Sequence, residues 1–147
     1  MEDIVAFDVL KTKVLKYILY KKRTEQEVRK KFSIEEKCLL DNVIEYLKEE
    51  NYINDANYIE RAVNEFINLR ALSIKELYFK LYSKGLSDKV IQNYFDKHQV
   101  ELEEYEKKSA RKIFIKKSVS LEKKDIIVFL KKKGYREESI KFGIEEE

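Results

Sequence analysis

Side chains suited to catalysis or metal binding are scarce in this 147-residue chain. It has one histidine, His98, and one cysteine, Cys38, far apart along the sequence. A Cys/His metal centre needs several such ligands converging on one ion, and this pair cannot supply them. His98 falls at the end of a helical stretch, where an imidazole serves as a solvated C-terminal cap. Cys38 sits beside Leu39 on an apolar stripe and is expected in the core. No spacing suggests a Ser-His-Asp relay. No two of the three glycines, Gly85, Gly134 and Gly143, are close enough to cradle a phosphate. The acid pairs Glu35-Glu36, Glu49-Glu50 and Glu103-Glu104 read as solvated helix faces. The chain is therefore not expected to be an enzyme, and no catalytic residue, cofactor site or metal site is assigned.

Charge is the more informative chemistry. The net charge of +3 is too small to argue for a polyanionic partner, but its distribution is uneven. Between Lys107 and Lys133 lie eleven Lys/Arg against two acids, Glu122 and Asp125. They are Lys107, Lys108, Arg111, Lys112, Lys116, Lys117, Lys123, Lys124, Lys131, Lys132 and Lys133. Lys108, Arg111 and Lys112 share a helix face by their spacing, as do Lys112 and Lys116. A second basic stretch runs from Lys11 to Lys31 and includes Lys21, Lys22, Arg23, Arg29, Lys30 and Lys31, opposed by Glu25 and Glu27. Acids concentrate at 35–36, 49–50, 101–106 and the tail Glu145 to Glu147. Two basic regions of this kind can meet phosphates or an acidic protein groove. The ten tyrosines could stack on bases, although Tyr17 and Tyr94 fall at core positions.

The elements that position these residues are helices. There is no proline, and glycine is rare, whereas a β-rich fold of this length needs many turn residues. The segments 24–32, 73–81 and 122–130 recur at intervals of 49 residues. Val28, Leu77 and Ile126 share one position of this repeat; Phe32, Leu81 and Leu130 share another, one helical turn on. Val14, Val63 and Ala110 correspond upstream, and Val43, Ile91 and Ile140 downstream. The expected fold is all-α: three tandem three-helix repeats, helix-turn-helix-like, over residues 1–53, 54–99 and 100–147. They should form an elongated array that can curve, with flexible joints near 52–56 and 97–103.

In each repeat a first helix is expected at 8–22, 55–71 and 101–117, a second at 24–32, 73–83 and 121–133, and a third at 35–50, 87–97 and 136–144. Thr24 with Glu27 and Ser73 with Glu76 have capping-box spacing. Asn54 or Asp55 can cap the next helix, and Gly85 and Gly134 suit a left-handed helix end. The third helices open on acids, Glu35-Glu36, Ser87-Asp88 and Arg136-Glu137-Glu138, which would face phosphates in a major groove. Sequence-specific reading of duplex DNA by these helices is thus disfavoured, and any DNA contact should be electrostatic.

A lone cysteine forms no intramolecular disulfide and fits a reducing cytoplasm. Met1-Glu2-Asp3 begins no apolar run, so no secretory signal is expected. No stretch is long and apolar enough for a membrane span.

Several stretches resemble the RecX family. Lys13 to Phe32, KVLKYILYKKRTEQEVRKKF, is similar to its opening unit. Val43 to Ile59 carries Tyr52-Ile53-Asn54-Asp55 followed by Tyr58, similar to the Gly-Tyr-Leu/Ile-Asn/Asp-Asp-x-x-Phe/Tyr-Ala signature. Ser73 to Leu86, SIKELYFKLYSKGL, and Phe129 to Tyr135, FLKKKGY, resemble the second unit and the end of the third. Asn51 stands where the family usually has Gly, Ile59 where it has Ala, and the first unit lacks its glycine. The resemblance implies a non-enzymatic modulator that binds in the groove of RecA filaments and usually suppresses strand exchange and coupled ATP hydrolysis. The implied partner is RecA, with single- or double-stranded DNA as a further one, and a monomer is expected. A DNA-binding helical protein of weak sequence preference, acting without RecA, is the alternative reading.

Overall fold

The computed structural model describes residues 2–145; Met1 and the tail residues Glu146 and Glu147 lie outside the described residues. Among those described there are nine α-helices and no strand: α1 (Glu2–Tyr20), α2 (Glu25–Lys31), α3 (Lys37–Glu49), α4 (Asp55–Leu69), α5 (Ile74–Ser83), α6 (Asp88–Lys97), α7 (Gln99–Lys117), α8 (Lys123–Lys132) and α9 (Glu137–Ile144). None is long and apolar enough to cross a membrane.

The helices start where side chains can satisfy their free N–H groups. Thr24 and Ser73 form full capping boxes with Glu27 and Glu76. Asn54 caps α4 by accepting from the Asn57 N–H, and Glu36 caps α3 by accepting from those of Cys38 and Leu39. The two backbone donors hold the Glu36 carboxyl below the usual range. α1 begins well before the expected residue 8, and Phe7 extends the inward stripe of Leu10, Val14 and Ile18 by one turn.

Three hydrophobic clusters follow one another along the chain. The first joins Leu10, Val14 and Ile18 of α1 to Val28 of α2 and to Leu40, Val43, Ile44 and Leu47 of α3. The second joins Ile59 and Val63 of α4, Leu77 and Leu81 of α5 and Ile91 of α6; Leu102 of α7 also packs there. The third joins Ala110 of α7, Ile126 and Leu130 of α8 and Ile140 of α9, with Tyr135. Gly143 lets α9 lie against α7, since a Cβ there would approach the Ala110 backbone to 2.8 Å.

Cys38 is not in the core but exposed. The inward face of α3 is set by Leu40, Val43, Ile44 and Leu47, and residue 38 projects from the opposite side of the helix.

The clusters are tied together by hydrogen bonds at matching places. The Thr24 hydroxyl donates to the Lys84 carbonyl at 2.8 Å, and the Ser73 hydroxyl donates to that of Lys133 at 2.7 Å. Next to these bonds the first free N–H of α2, from Glu25, donates to Asp55 Oδ1 at 3.0 Å, and that of α5, from Ile74, donates to Glu106 Oε2 at 2.7 Å. At each joint a carboxylate from the following long helix thus completes a helix start in the preceding cluster. Gly85 and Gly134 sit against these starts with φ of +94° and +92°. A Cβ on Gly85 would come within 2.7 Å of Gln26 Cβ, and one on Gly134 within 2.8 Å of Lys75 Cδ. Both conformation and space therefore call for glycine.

Candidate macromolecule-binding surfaces

α7 and α8 carry most of the main basic cluster, and the fold divides its members into two groups. Arg111, Lys117 and Lys133 are half-buried and engaged with the protein itself. The Arg111 guanidinium donates to the carbonyls of Gly143 and Glu145, tying α7 to the end of α9. The Lys117 ammonium lies 4.2 Å from the centre of the Phe129 ring. The Lys133 ammonium pairs with Glu76 at 3.2 Å, across the joint between the second and third clusters. Lys107 is also half-buried. Lys108, Lys112, Lys116, Lys123, Lys124, Lys131 and Lys132 are exposed. Of these only Lys124 approaches a carboxylate among the described residues, Glu122 at 3.9 Å. Lys108, Arg111 and Lys112 line an open groove of about 340 Å³ with Phe142 and Glu145.

The secondary stretch divides in the same way. Arg29 is committed to structure: it pairs with Glu25 at 3.0 Å and with Asp41. Hydrogen bonds to Asp41 and Glu25 hold its guanidinium still more firmly protonated. Burial alone would raise the Glu25 carboxyl, but the hydrogen bonds from Arg29 and Lys48 outweigh it and bring it below the ordinary range. Arg23 lies 4.2 Å from the centre of the Tyr17 ring, and Lys31 reaches over the same ring. Lys21, Lys22 and Lys30 are exposed. The structure therefore offers two separate exposed lysine groups, one on α7 and α8 and one around the α1–α2 turn.

No cluster of His, Cys, Asp or Glu among the described residues is arranged to hold a metal ion. His98 joins α6 to α7 as the C-cap of the first and N-cap of the second. Its ring stacks on Tyr94 with centroids 4.2 Å apart and meets Glu101 at 2.9 Å.

Sequence reasoning passed over one polar residue that matters, Glu106. It sits in the acid-rich run 101–106, yet it is fully buried. Its Oε1 accepts from Ser139 Oγ at 2.6 Å, from Arg136 Nε at 2.8 Å and from the Arg136 N–H, while Oε2 takes the Ile74 N–H. The signal was available in the repeat. Counting from Val14, Val63 and Ala110, residue 106 occupies the place of Leu10 and Ile59, both buried.

No family model matches the sequence. Among curated proteins, Regulatory protein RecX of Finegoldia magna is 35 % identical over 96 residues, covering 62 % of this chain and 43 % of that protein. The protein of the same name from Clostridium acetobutylicum is 28 % identical over 131 residues, covering 85 % of this chain and 59 % of its own length. The chain thus spans about half the length of these relatives. The crystal structure of RecX from Lactobacillus salivarius superposes with a TM-score of 0.81 at 21 % identity, covering 96 % of both chains, and so shares the fold. The sequence relatives support assigning this chain to the RecX family, and the solved RecX structure shares its fold.

Proposed function

We propose that this protein regulates the RecA recombinase by binding, most simply as an inhibitor, and carries out no chemistry itself. It would lie in the groove of a RecA filament on single-stranded DNA in the bacterial cytoplasm, as a monomer. The observation that carries this reading is the exposed lysine surface of α7 and α8, where Lys108, Lys112, Lys116, Lys123, Lys131 and Lys132 are free to meet an acidic or phosphate-bearing partner. The names of the sequence relatives, each a regulatory protein, point the same way.

In this reading the three clusters belong to three tandem three-helix repeats, 1–53, 54–99 and 100–147, strung into an elongated array that follows the groove. Contacts on separate repeats then reinforce one another through effective concentration. The same lysines favour a second reading, electrostatic DNA binding without RecA.

The test is RecA's ATPase activity on single-stranded DNA, with and without this protein, at two salt concentrations. The expected result is a lower rate, relieved when Lys112, Lys116 and Lys123 are changed to Glu. Lys117 is left intact because it packs on Phe129. An unchanged rate, together with unchanged strand exchange and filament length, would sink the proposal. DNA affinity that is the same with and without RecA, and falls about 0.7–0.9 log units per log unit of salt for each phosphate neutralised, would favour the second reading.

A further inference from the structure

A surface helix normally turns a polar face to solvent. α1 departs from that pattern. One face packs inward through Leu10, Val14 and Ile18, yet the opposite face is apolar as well. There Val5, Val9 and Leu19 are 63 %, 50 % and 69 % exposed, and Leu15 beside them is only half-buried. Val5, Thr12 and Leu19 are seven residues apart, the interval that keeps side chains on one seam between two packed helices. Asp8, Thr12 and Lys16 are the polar residues along this seam, and all three are exposed.

The seam has the same character read in either direction. Around Thr12, Val5 lies as far to one side as Leu19 to the other, Val9 as far as Leu15, and Asp8 as far as Lys16; the exposed Ile4 and Tyr20 continue the correspondence. An antiparallel copy centred on Thr12 therefore brings Val5 level with Leu19 of the other copy, and Asp8 level with its Lys16. This is the self-complementarity a two-fold interface requires, and each contact occurs twice. Copies aligned the same way would set Asp8 against Asp8 and Lys16 against Lys16, so the charges select the antiparallel pair. Both charges are available. Lys16 has no carboxylate partner among the described residues, and the Asp8 side chain stays 63 % exposed while meeting Lys11 at 3.5 Å. The Thr12 hydroxyl donates to the Asp8 carbonyl at 2.8 Å, so closing the seam leaves no unsatisfied hydroxyl at its centre.

We propose that the outer face of α1 is a self-association surface, on which a second copy of this chain packs antiparallel about a two-fold axis at Thr12. One helix face is small beside the roughly 1,200–2,000 Å² of a stable interface. The pair is accordingly weak, with a dissociation constant on the order of 10–100 μM. It is a state of the concentrated free protein, and the monomer of the filament reading is the form that dilution releases. The surface involves neither RecA nor the α7–α8 lysines, so its test stands whether or not that reading holds.

The experiment is sedimentation velocity of the full chain, without RecA or DNA, at protein concentrations from well below to well above that constant. The wild-type sedimentation coefficient should rise with concentration to the value of a dimer. Asp8→Lys and Lys16→Asp should each weaken association at least about tenfold, because each sets like charges together twice. The double variant Asp8→Lys with Lys16→Asp should restore it. An equal mixture of the two single variants should associate better than either alone, since opposite charges then meet at both contacts. Val5→Ser should weaken association without touching the charges. Asp8, Lys16 and Val5 are exposed, so these variants should keep the wild-type helical circular dichroism and melting temperature. A wild type that stays monomeric throughout the range overturns the proposal. So does association that the single charge reversals leave unchanged, or that neither the double variant nor the mixture restores.

Discussion

Among single residues, Glu106 has the most demanding position. A buried carboxylate is tolerated only when its charge is paired and its oxygens are hydrogen-bonded. Here Arg136, Ser139 and the Ile74 N–H meet both requirements. Removing the carboxylate leaves the Ile74 N–H and the buried Ser139 hydroxyl without their acceptor and takes from Arg136 its shortest ion pair. Glu106→Ala should therefore destabilise the protein by about 1–3 kcal/mol for each buried donor left unsatisfied. Glu106→Gln, which keeps the shape and an acceptor but leaves Arg136 with Glu103 and Glu138 alone at 3.6 Å, should fall between it and wild type. Urea denaturation measures both. If the alanine variant were as stable as wild type, the carboxylate would not be holding the joint. Glu106 also shows where sequence reading stops. Position in the repeat marked the residue as inward, but composition grouped it with solvated acids, and its partners come from thirty or more residues away. Cys38 was misplaced in the converse way: apolar character beside Leu39 suggested burial, but the face of α3 was settled by four other residues.

At the level of elements, local rules were legible and joints were not. The capping boxes at Thr24 and Ser73, the Asn54 cap and the left-handed glycines all follow from spacings of a few residues, so the sequence displays them directly. The same Thr24 and Ser73 hydroxyls also reach a carbonyl sixty residues on, which no local pattern announces. The glycines are where local and long-range demands coincide. Asn51 adopts φ of +64°, a conformation that asparagine tolerates, which accounts for its presence where the family usually has glycine. Gly85 differs because a helix start lies against it. Gly85→Ala should cost about 1–3 kcal/mol from backbone strain, and contact with Gln26 adds to that. Gly85→Asn separates the two causes. Asparagine relieves part of the strain but keeps the Cβ, so it should remain clearly less stable than wild type in chemical denaturation. Full recovery with Asn would mean that the close approach to α2 has no energetic weight.

In the molecule as a whole, the two joints are unequal. Between the first and second clusters the ties are mainly polar, the Thr24 hydroxyl on Lys84 and the Glu25 N–H on Asp55. Between the second and third, α7 belongs to both: Leu102 and Tyr105 pack on the second cluster and Ala110 on the third. The Tyr105 hydroxyl also donates to the Arg70 carbonyl and accepts the Leu72 N–H, and Glu106 and Lys133 add their bonds to α5 and Glu76. Apolar burial shared through one continuous helix couples two clusters more strongly than a few partly exposed polar bonds do. The second and third clusters should accordingly open as one cooperative unit, and the first should open with its own, lower free energy. Hydrogen exchange read by mass spectrometry tests this. Amides of α4 to α9 should share one protection level at the slow end, with those of α1 to α3 exchanging faster. Leu77→Ala, which removes a fully buried side chain from the second cluster, should lower protection in α8 and α9 as well as in α4 to α6. If the third cluster kept its protection in that variant, or if all nine helices exchanged at one rate, the shared helix would not set the cooperativity. With unequal joints, bending should concentrate at the α3–α4 turn, the chain beyond it moving as a stiff body.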